Sequence, residues 1–174
     1  QKAINRAKTL EAQSYSYSYD MLGEAAVNDA DACSYHMAYA DAISQIAKAA
    51  LGDDIRTNPG ISIKLSALHP TYDLLHRDQV MRDLVPRARS LALLAKSAGI
   101  GLNIDAEEAA RLDLSLDVIS AVLSEPSLAG WDGFGVVVQA YGKRAAHVID
   151  WLYLLAQGLD RRIMVRLVKG AYWD

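Results

Sequence analysis

Five short apolar stretches of the chain each carry one polar or charged residue at or near the C-terminal end: Asp20, Lys64, Asp105, Gln139 and Arg166. Successive members lie 27 to 44 residues apart, enough for a helix and its loops between parallel strands. Apolar strands alternating with helices make a parallel sheet covered by helices, which leaves two architectures, a (β/α) barrel or a doubly wound open sheet. The polar residues favour the barrel. An open sheet is covered on both faces, and a charge inside nearly every strand is costly there unless it is paired. A barrel gathers the same groups at one mouth, where they neutralise each other and meet a ligand.

The elements follow from periodicity. Residues 3 to 14 have helical composition, and the alternation of Tyr15-Ser16-Tyr17-Ser18-Tyr19-Asp20 predicts a strand. Asn28 and Asp29 are caps for a helix running to about Leu51, with Met37, Ile43, Ile46, Ala47 and Ala50 as its apolar stripe and Gly52 as a stop. In Ile61 to Ser66, period two turns Ile61, Ile63 and Leu65 towards outer helices and Ser62, Lys64 and Ser66 towards the axis. Val80, Leu84, Ala88, Leu91 and Ala95 mark a helix, in which Pro86 predicts a kink or a second start. Ile100 to Asp105 is the third strand, Leu112, Leu116, Ile119 and Leu123 the next helix, and Phe134 to Tyr141 the fourth strand. A helix through Ala145, Val148, Ile149, Leu152 and Leu155 then leads to a fifth strand, Ile163 to Val168.

Several functional classes lack support. At 174 residues and 52% apolar content the chain can bury a core, and a net charge of −3 with scattered signs leaves no basic face for nucleic acid. Cys33 is the only thiol, which fits a reducing compartment and a small helix residue. No window approaches the apolar length of a spanning helix, and the first residues lack the apolar core of a signal peptide. His36, His69, His76 and His147 show no metal-ligand spacing, and only His69 falls just beyond a strand end. There is no Gly-x-Gly-x-x-Gly or phosphate-loop run, and Ser66 has no partnered histidine nearby. Both ends read as cut. A complete (β/α)8 barrel takes about 250 residues, so five strand units predict an open arc from a larger enzyme.

The rim residues admit more than one role. Lys64 is either a structural ion-pair partner or a cation for a substrate carboxylate or an electron-rich ring. Asp105 is that lysine's partner or a loop-borne acid, and Glu107 and Glu108 are solvated residues at a helix start or part of the same acidic loop. Arg166 presents a rigid fork of donors suited to a ring nitrogen, carbonyl or anion. Gln139 both donates and accepts, as reading the edge of a heterocycle requires. After the last strand, Lys169-Gly170-Ala171-Tyr172-Trp173 is an ordinary turn or a close backbone approach to a cofactor, which Gly170 permits.

Five colinear motifs resemble the proline dehydrogenase family, specifically the dehydrogenase domain of bacterial bifunctional proline utilization proteins. They are Asp20-Met21-Leu22-Gly23-Glu24-Ala25-Ala26, Gly60 to Pro70, Asn103-Ile104-Asp105-Ala106-Glu107-Glu108, Gln139-Ala140-Tyr141, and Arg166 to Asp174. The resemblance runs from about residue 15 to the end. It implies a FAD-bearing (β/α)8 TIM-type barrel, present here in part, that oxidises L-proline to pyrroline-5-carboxylate and passes electrons to a membrane quinone. It assigns Arg166 a place beside flavin N5, Gln139 a contact with the isoalloxazine, and Val168, Lys169, Gly170 and Ala171 the lining of the flavin. By the same resemblance Lys64 binds the substrate carboxylate, Asp105, Ala171 and Tyr172 shape the proline pocket, and Asp20 and Glu24 support it. Residues 1–14 are then a helical lead-in and 15–174 a barrel truncated at its C-terminus. The implied parent is cytoplasmic, peripheral at the inner membrane, and carries a pyrroline-5-carboxylate dehydrogenase domain; this portion contacts no nucleic acid. The competing expectations are another flavin barrel, similar to methylenetetrahydrofolate reductase, and a barrel kept as a non-catalytic module. The polypeptide alone is expected neither to close a barrel nor to turn over proline.

Overall fold

Strand and helix alternate through the chain in the order expected from its periodicity. The computed structural model describes residues 2–13, 15–50, 52 and 54–171. Strands β1 (Ser18–Asp20), β2 (Gly60–Ile63), β3 (Gly101–Ile104), β4 (Phe134–Gln139) and β5 (Met164–Val168) alternate with helices α2 (Asp29–Ala47), α3 (Arg77–Ser97), α4 (Leu112–Leu123) and α5 (Ala145–Gly158), and α1 (Lys2–Glu11) precedes β1. All four strand pairings are parallel, and the strand order is β1-β2-β3-β4-β5. A doubly wound sheet reverses direction part-way along its strand order, whereas here every strand lies beside its neighbour in sequence. The sheet is therefore an arc of a barrel, with β1 and β5 at its edges among the described residues.

The core fills the layer between the arc and its helices. Ile61, Ile63, Leu102, Ile104, Val136 and Val138 leave the strands on the outer face and pack against Ile43, Leu84, Leu91, Val118, Ile119 and Leu152. On the inner face the register puts Asp20, Ser62, Asn103 and Gly135 side by side. A Cβ at Gly135 would run into the Asn103 amide, so glycine there leaves that side chain its place on the inner face.

Several elements differ from their sequence reading for local reasons. The β1 ladder is short: Tyr15 to Tyr17 lie outside it, with Tyr17 and Tyr19 stacked at 6.2 Å. Asn28 caps α2 by accepting from the Asp31 amide at 2.9 Å, but the helix ends at Ala47. Its buried stripe runs through Ala32, Tyr39, Ile43 and Ile46, and Met37 is exposed. Leu51 lies outside the described residues. Helix α3 runs unbroken through Pro86, because the carbonyl that loses its donor belongs to Arg82 on the solvent side. In α4 the inward face is Leu114, Val118, Ile119, Val122 and Leu123, with Leu112 and Leu116 only half-buried.

Candidate active site

Strands β2 and β3 stop just before their polar residues and the chain turns away, whereas Asp20 and Gln139 are the last residues of β1 and β4 and Arg166 lies within β5. After β2, Lys64 opens a 3₁₀ turn at Leu65–Ala67, fixed from outside by Arg87 donating to the Leu68 carbonyl at 2.6 Å. After β3, Asp105 extends the ladder by one more bond, its amide donating to the Ile63 carbonyl at 2.9 Å. Lys64 and Asp105 therefore lie at the C-terminal end of the arc, where barrels of this kind carry their sites.

There the structure brings four of the sequence-predicted residues into one network. Lys64 Nζ lies 3.2 Å from both carboxylate oxygens of Asp20 and 3.2 Å from Asp105 Oδ2. Arg166 donates to Asp105 Oδ1 at 2.5 Å and to Ser62 Oγ at 3.0 Å, and Ser62 in turn meets Ser18 Oγ at 3.2 Å. Two cations and two anions alternate, so the cluster is neutral without any group from outside. Exposure separates its members: the Lys64 and Asp105 side chains are 13% and 11% exposed, those of Arg166 and Asp20 40% and 46%.

Electrostatics follow from that placement. Burial pulls the Lys64 ammonium down, and the hydrogen bond to Asp20 with the charges of Asp105 and Asp20 outweighs it, leaving the group above the ordinary lysine range. Below Lys64, the buried Tyr39 hydroxyl accepts from the Lys64 amide at 3.2 Å, and burial pushes its phenol up to about 12.

Gln139 forms a second cluster. Its Nε2 donates to the Glu107 carbonyl at 2.9 Å, and its Oε1 accepts from the Ala171 amide at 3.0 Å. The β5 end stays bonded to β4 by Ala140 donating to the Val168 carbonyl and Tyr141 to that of Lys169, at 2.8 and 3.1 Å. Gly170 sits at φ 115°, and a Cβ there would strike the Tyr141 ring, so the position needs glycine for its own turn. Val168 is half-buried and Lys169 exposed. Glu24 lies on the exposed loop after β1, and Tyr172 is outside the described residues.

Sequence reasoning missed Glu107. Its side chain is 5% exposed and accepts from the Ser66 amide at 3.1 Å, with Arg111 3.6 Å away, so it is no solvated helix-start residue. Burial raises its carboxyl above the usual range, with the Ser66 hydrogen bonds opposing. Ser66 also holds the loop after β1: its Oγ and carbonyl accept from the amides of Ala25 and Ala26 at 3.1 and 2.9 Å, with Ala25 at the left-handed φ of 54°. His69 is buried, its Nδ1 accepting from the Thr71 amide at 3.2 Å. No cluster of metal-ligating side chains occurs among the described residues.

Comparison with known proteins agrees with this geometry. The family model for proline dehydrogenase matches residues 3–174. The bifunctional PutA proteins of Salmonella typhimurium and Escherichia coli K12 are 56% and 55% identical to the chain over 173 residues. The match takes in 99% of this chain and 13% of each of those proteins. A crystal structure of Bradyrhizobium japonicum PutA superimposes with a TM-score of 0.89 at 57% identity, covering 90% of this chain and 16% of that one. PutA from Bdellovibrio bacteriovorus, inactivated by N-propargylglycine, gives 0.90 at 27% identity over 98% of this chain and 19% of that one. A five-stranded parallel arc with its charged rim intact, matched by the family model over nearly its whole length, belongs to the proline dehydrogenase family.

Proposed function

We propose that the chain is part of a FAD-dependent enzyme that oxidises L-proline to pyrroline-5-carboxylate in proline catabolism. The observation that carries this reading is the Lys64–Asp105–Arg166 array, built from the residues that follow β2 and β3 and from the middle of β5, in a chain of this family. The donor set fits a flavin: Arg166 is a part-exposed cation with two of its N–H groups engaged among the described residues, and Gln139 offers both a donor and an acceptor. Arg166, Gln139, Val168, Lys169, Gly170 and Ala171 are the residues that would hold it. When bound, FAD supplies the two-electron acceptor for the hydride leaving the proline carbon next to nitrogen, with a quinone as the final acceptor.

Lys64 binds the substrate carboxylate through Nζ. Of its two present partners, Asp20 is far more exposed than Asp105 and is the cheaper one for an incoming carboxylate to displace. Asp105 stays between Lys64 and Arg166 and keeps both cations in register. Arg166 is already fixed by Asp105 and Ser62, so its charge faces the reaction without reorganising first. Asp105, Ala171 and Tyr172 shape the proline pocket, with Asp20 and Glu24 in support. Inactivation of one structural neighbour by N-propargylglycine, itself a compact secondary amino acid, supports a substrate of this size and charge.

The relatives are bifunctional and far longer than this chain. We therefore read residues 15–174 as part of a dehydrogenase barrel, with 1–14 leading in, inside a parent that also carries pyrroline-5-carboxylate dehydrogenase. No helix among the described residues is long and apolar enough to cross a membrane. We read the parent as cytoplasmic, docking peripherally at the inner membrane to reach its quinone.

Stopped-flow reduction of the flavin by proline in the full-length protein tests the assignment. Arg166→Met should slow reduction at saturating proline by about 100-fold while changing the proline dissociation constant by about threefold or less. Lys64→Met should do the reverse, weakening proline by about 10- to 100-fold, the scale of a hydrogen bond to a charged group. An unchanged reduction rate in Arg166→Met removes that residue from the mechanism.

A further inference from the structure

The loops that follow the five strands are joined in series by hydrogen bonds. Ala25 and Ala26, after β1, donate to Ser66, after β2; the Ser66 amide donates to Glu107 Oε2, after β3; Gln139, ending β4, donates to the Glu107 carbonyl; and Ala171, after β5, donates to Gln139 Oε1. Glu107 is bonded to the β2 loop through its side chain and to the end of β4 through its main chain, as Ser66 is to the β1 loop through its hydroxyl and to Glu107 through its amide. Any residue at this position would carry a carbonyl. What a glutamate adds is an anchor that fixes where that carbonyl points.

Packing does not supply the same restraint. Behind the loop lies a cavity of about 430 Å³ whose walls include Ile104, Leu116, Ile119, Val136, Val138 and Val148, and Glu107 stands at its edge. The loop from Asp105 to Glu108 lines that volume, and its hydrogen bonds and Arg111 hold it there. A buried carboxylate accepting from a backbone amide is among the stronger of such bonds.

We propose that Glu107 is the positioning residue of this site: by binding the Ser66 amide it sets the carbonyl that aims Gln139, and through Gln139 the amide of Ala171. The proposal rests on the reading of Gln139 and Ala171 as flavin contacts. It makes the β2 loop, which also carries Lys64, and the β4–β5 end one mechanical unit, so the substrate cation and the cofactor wall hold a fixed relation.

The test compares Glu107→Ala with Glu107→Gln in the full-length protein. Glutamine keeps an oxygen for the Ser66 amide; alanine does not. Without substrate, Glu107→Ala should raise hydrogen exchange at the Ser66 and Ala171 amides by about tenfold, the factor of one net hydrogen bond. With proline it should lower the flavin reduction rate by about tenfold and move KM by less than about twofold, because Lys64 and Asp105 are untouched. Glu107→Gln should bring both readouts back to within about threefold of the unmodified protein. If Glu107→Ala does not fold, Glu107→Asp, one methylene too short for Ser66, carries the same expectation. Unchanged exchange at Ala171, or equal losses in rate and affinity without rescue by glutamine, would overturn the proposal. An unmodified protein that does not reduce its flavin with proline would instead overturn the functional reading, and the exchange arm would still decide the role of Glu107.

Discussion

Tyr39 reaches from α2 to the end of β2, where its hydroxyl is the acceptor for the Lys64 amide at 3.2 Å. Tyr39→Phe keeps the ring and strips that amide of its partner, which should destabilise the protein by about 1–3 kcal/mol. The pH dependence carries its own signature. Burial raises the phenol from 10.0 to about 12, so the folded state favours the neutral form. That contribution is complete below pH 10, fades as pH climbs towards about 12, and is missing from Tyr39→Phe throughout. Melting both proteins between pH 8 and 12 checks it: their difference should shrink above pH 10, and a constant gap would mean that the hydroxyl does not titrate with folding. Lys64 belongs to the same region, and its charge persists because its partners outweigh its burial. Its pairing with Asp105 was one of two sequence readings, since a lysine at a strand end calls for a partner. Glu107 was not legible: it sits in a loop, where neither period two nor period 3.6 says which way a side chain points.

Helices and strands were legible where periodicity is strong and less so at their ends. The outward apolar residues of β2, β3 and β4 alternate as their sequence requires, but β2 stops at Ile63, so Lys64 is a cap residue of the following turn and not a strand residue. The stripe of α2 passes through Tyr39 and leaves Met37 exposed, because the register that buries Ile43 and Ile46 turns Met37 outward. At Pro86 no second helix begins, since α3 runs as one element from Arg77 to Ser97. The carbonyl that loses its donor belongs to Arg82, an exposed residue, so it need not be left buried without a partner. Restoring the missing donor should then be favourable: Pro86→Ala is expected to stabilise the protein by about 1–3 kcal/mol, read as a higher denaturant midpoint at unchanged slope. A lower midpoint would mean that proline's stiffening of the unfolded chain outweighs the lost bond.

At the scale of the whole arc, five strands out of the eight of a closed barrel leave apolar surface uncovered. Met164, Val165 and Leu167 of β5 and Tyr153 and Leu154 of α5 are exposed, and β5 offers an unpaired edge among the described residues. Asn103 Oδ1 is buried on the inner face with no hydrogen-bond partner among those residues, which is costly. A polypeptide of residues 1–174 made by itself therefore has the charged rim without the enclosure of a closed barrel. The rim charges neutralise one another, so Lys64, Asp20, Asp105 and Arg166 need no ligand to be stable. The apolar edge of β5 has no such internal remedy and pairs with whatever strand is offered. That polypeptide should associate with itself as concentration rises in size-exclusion chromatography, purify without flavin absorbance, and give no proline-dependent dye reduction. A monomer that takes up one equivalent of FAD tightly would show that five strands suffice to build the flavin site, and the expectation of inactivity would fall with it.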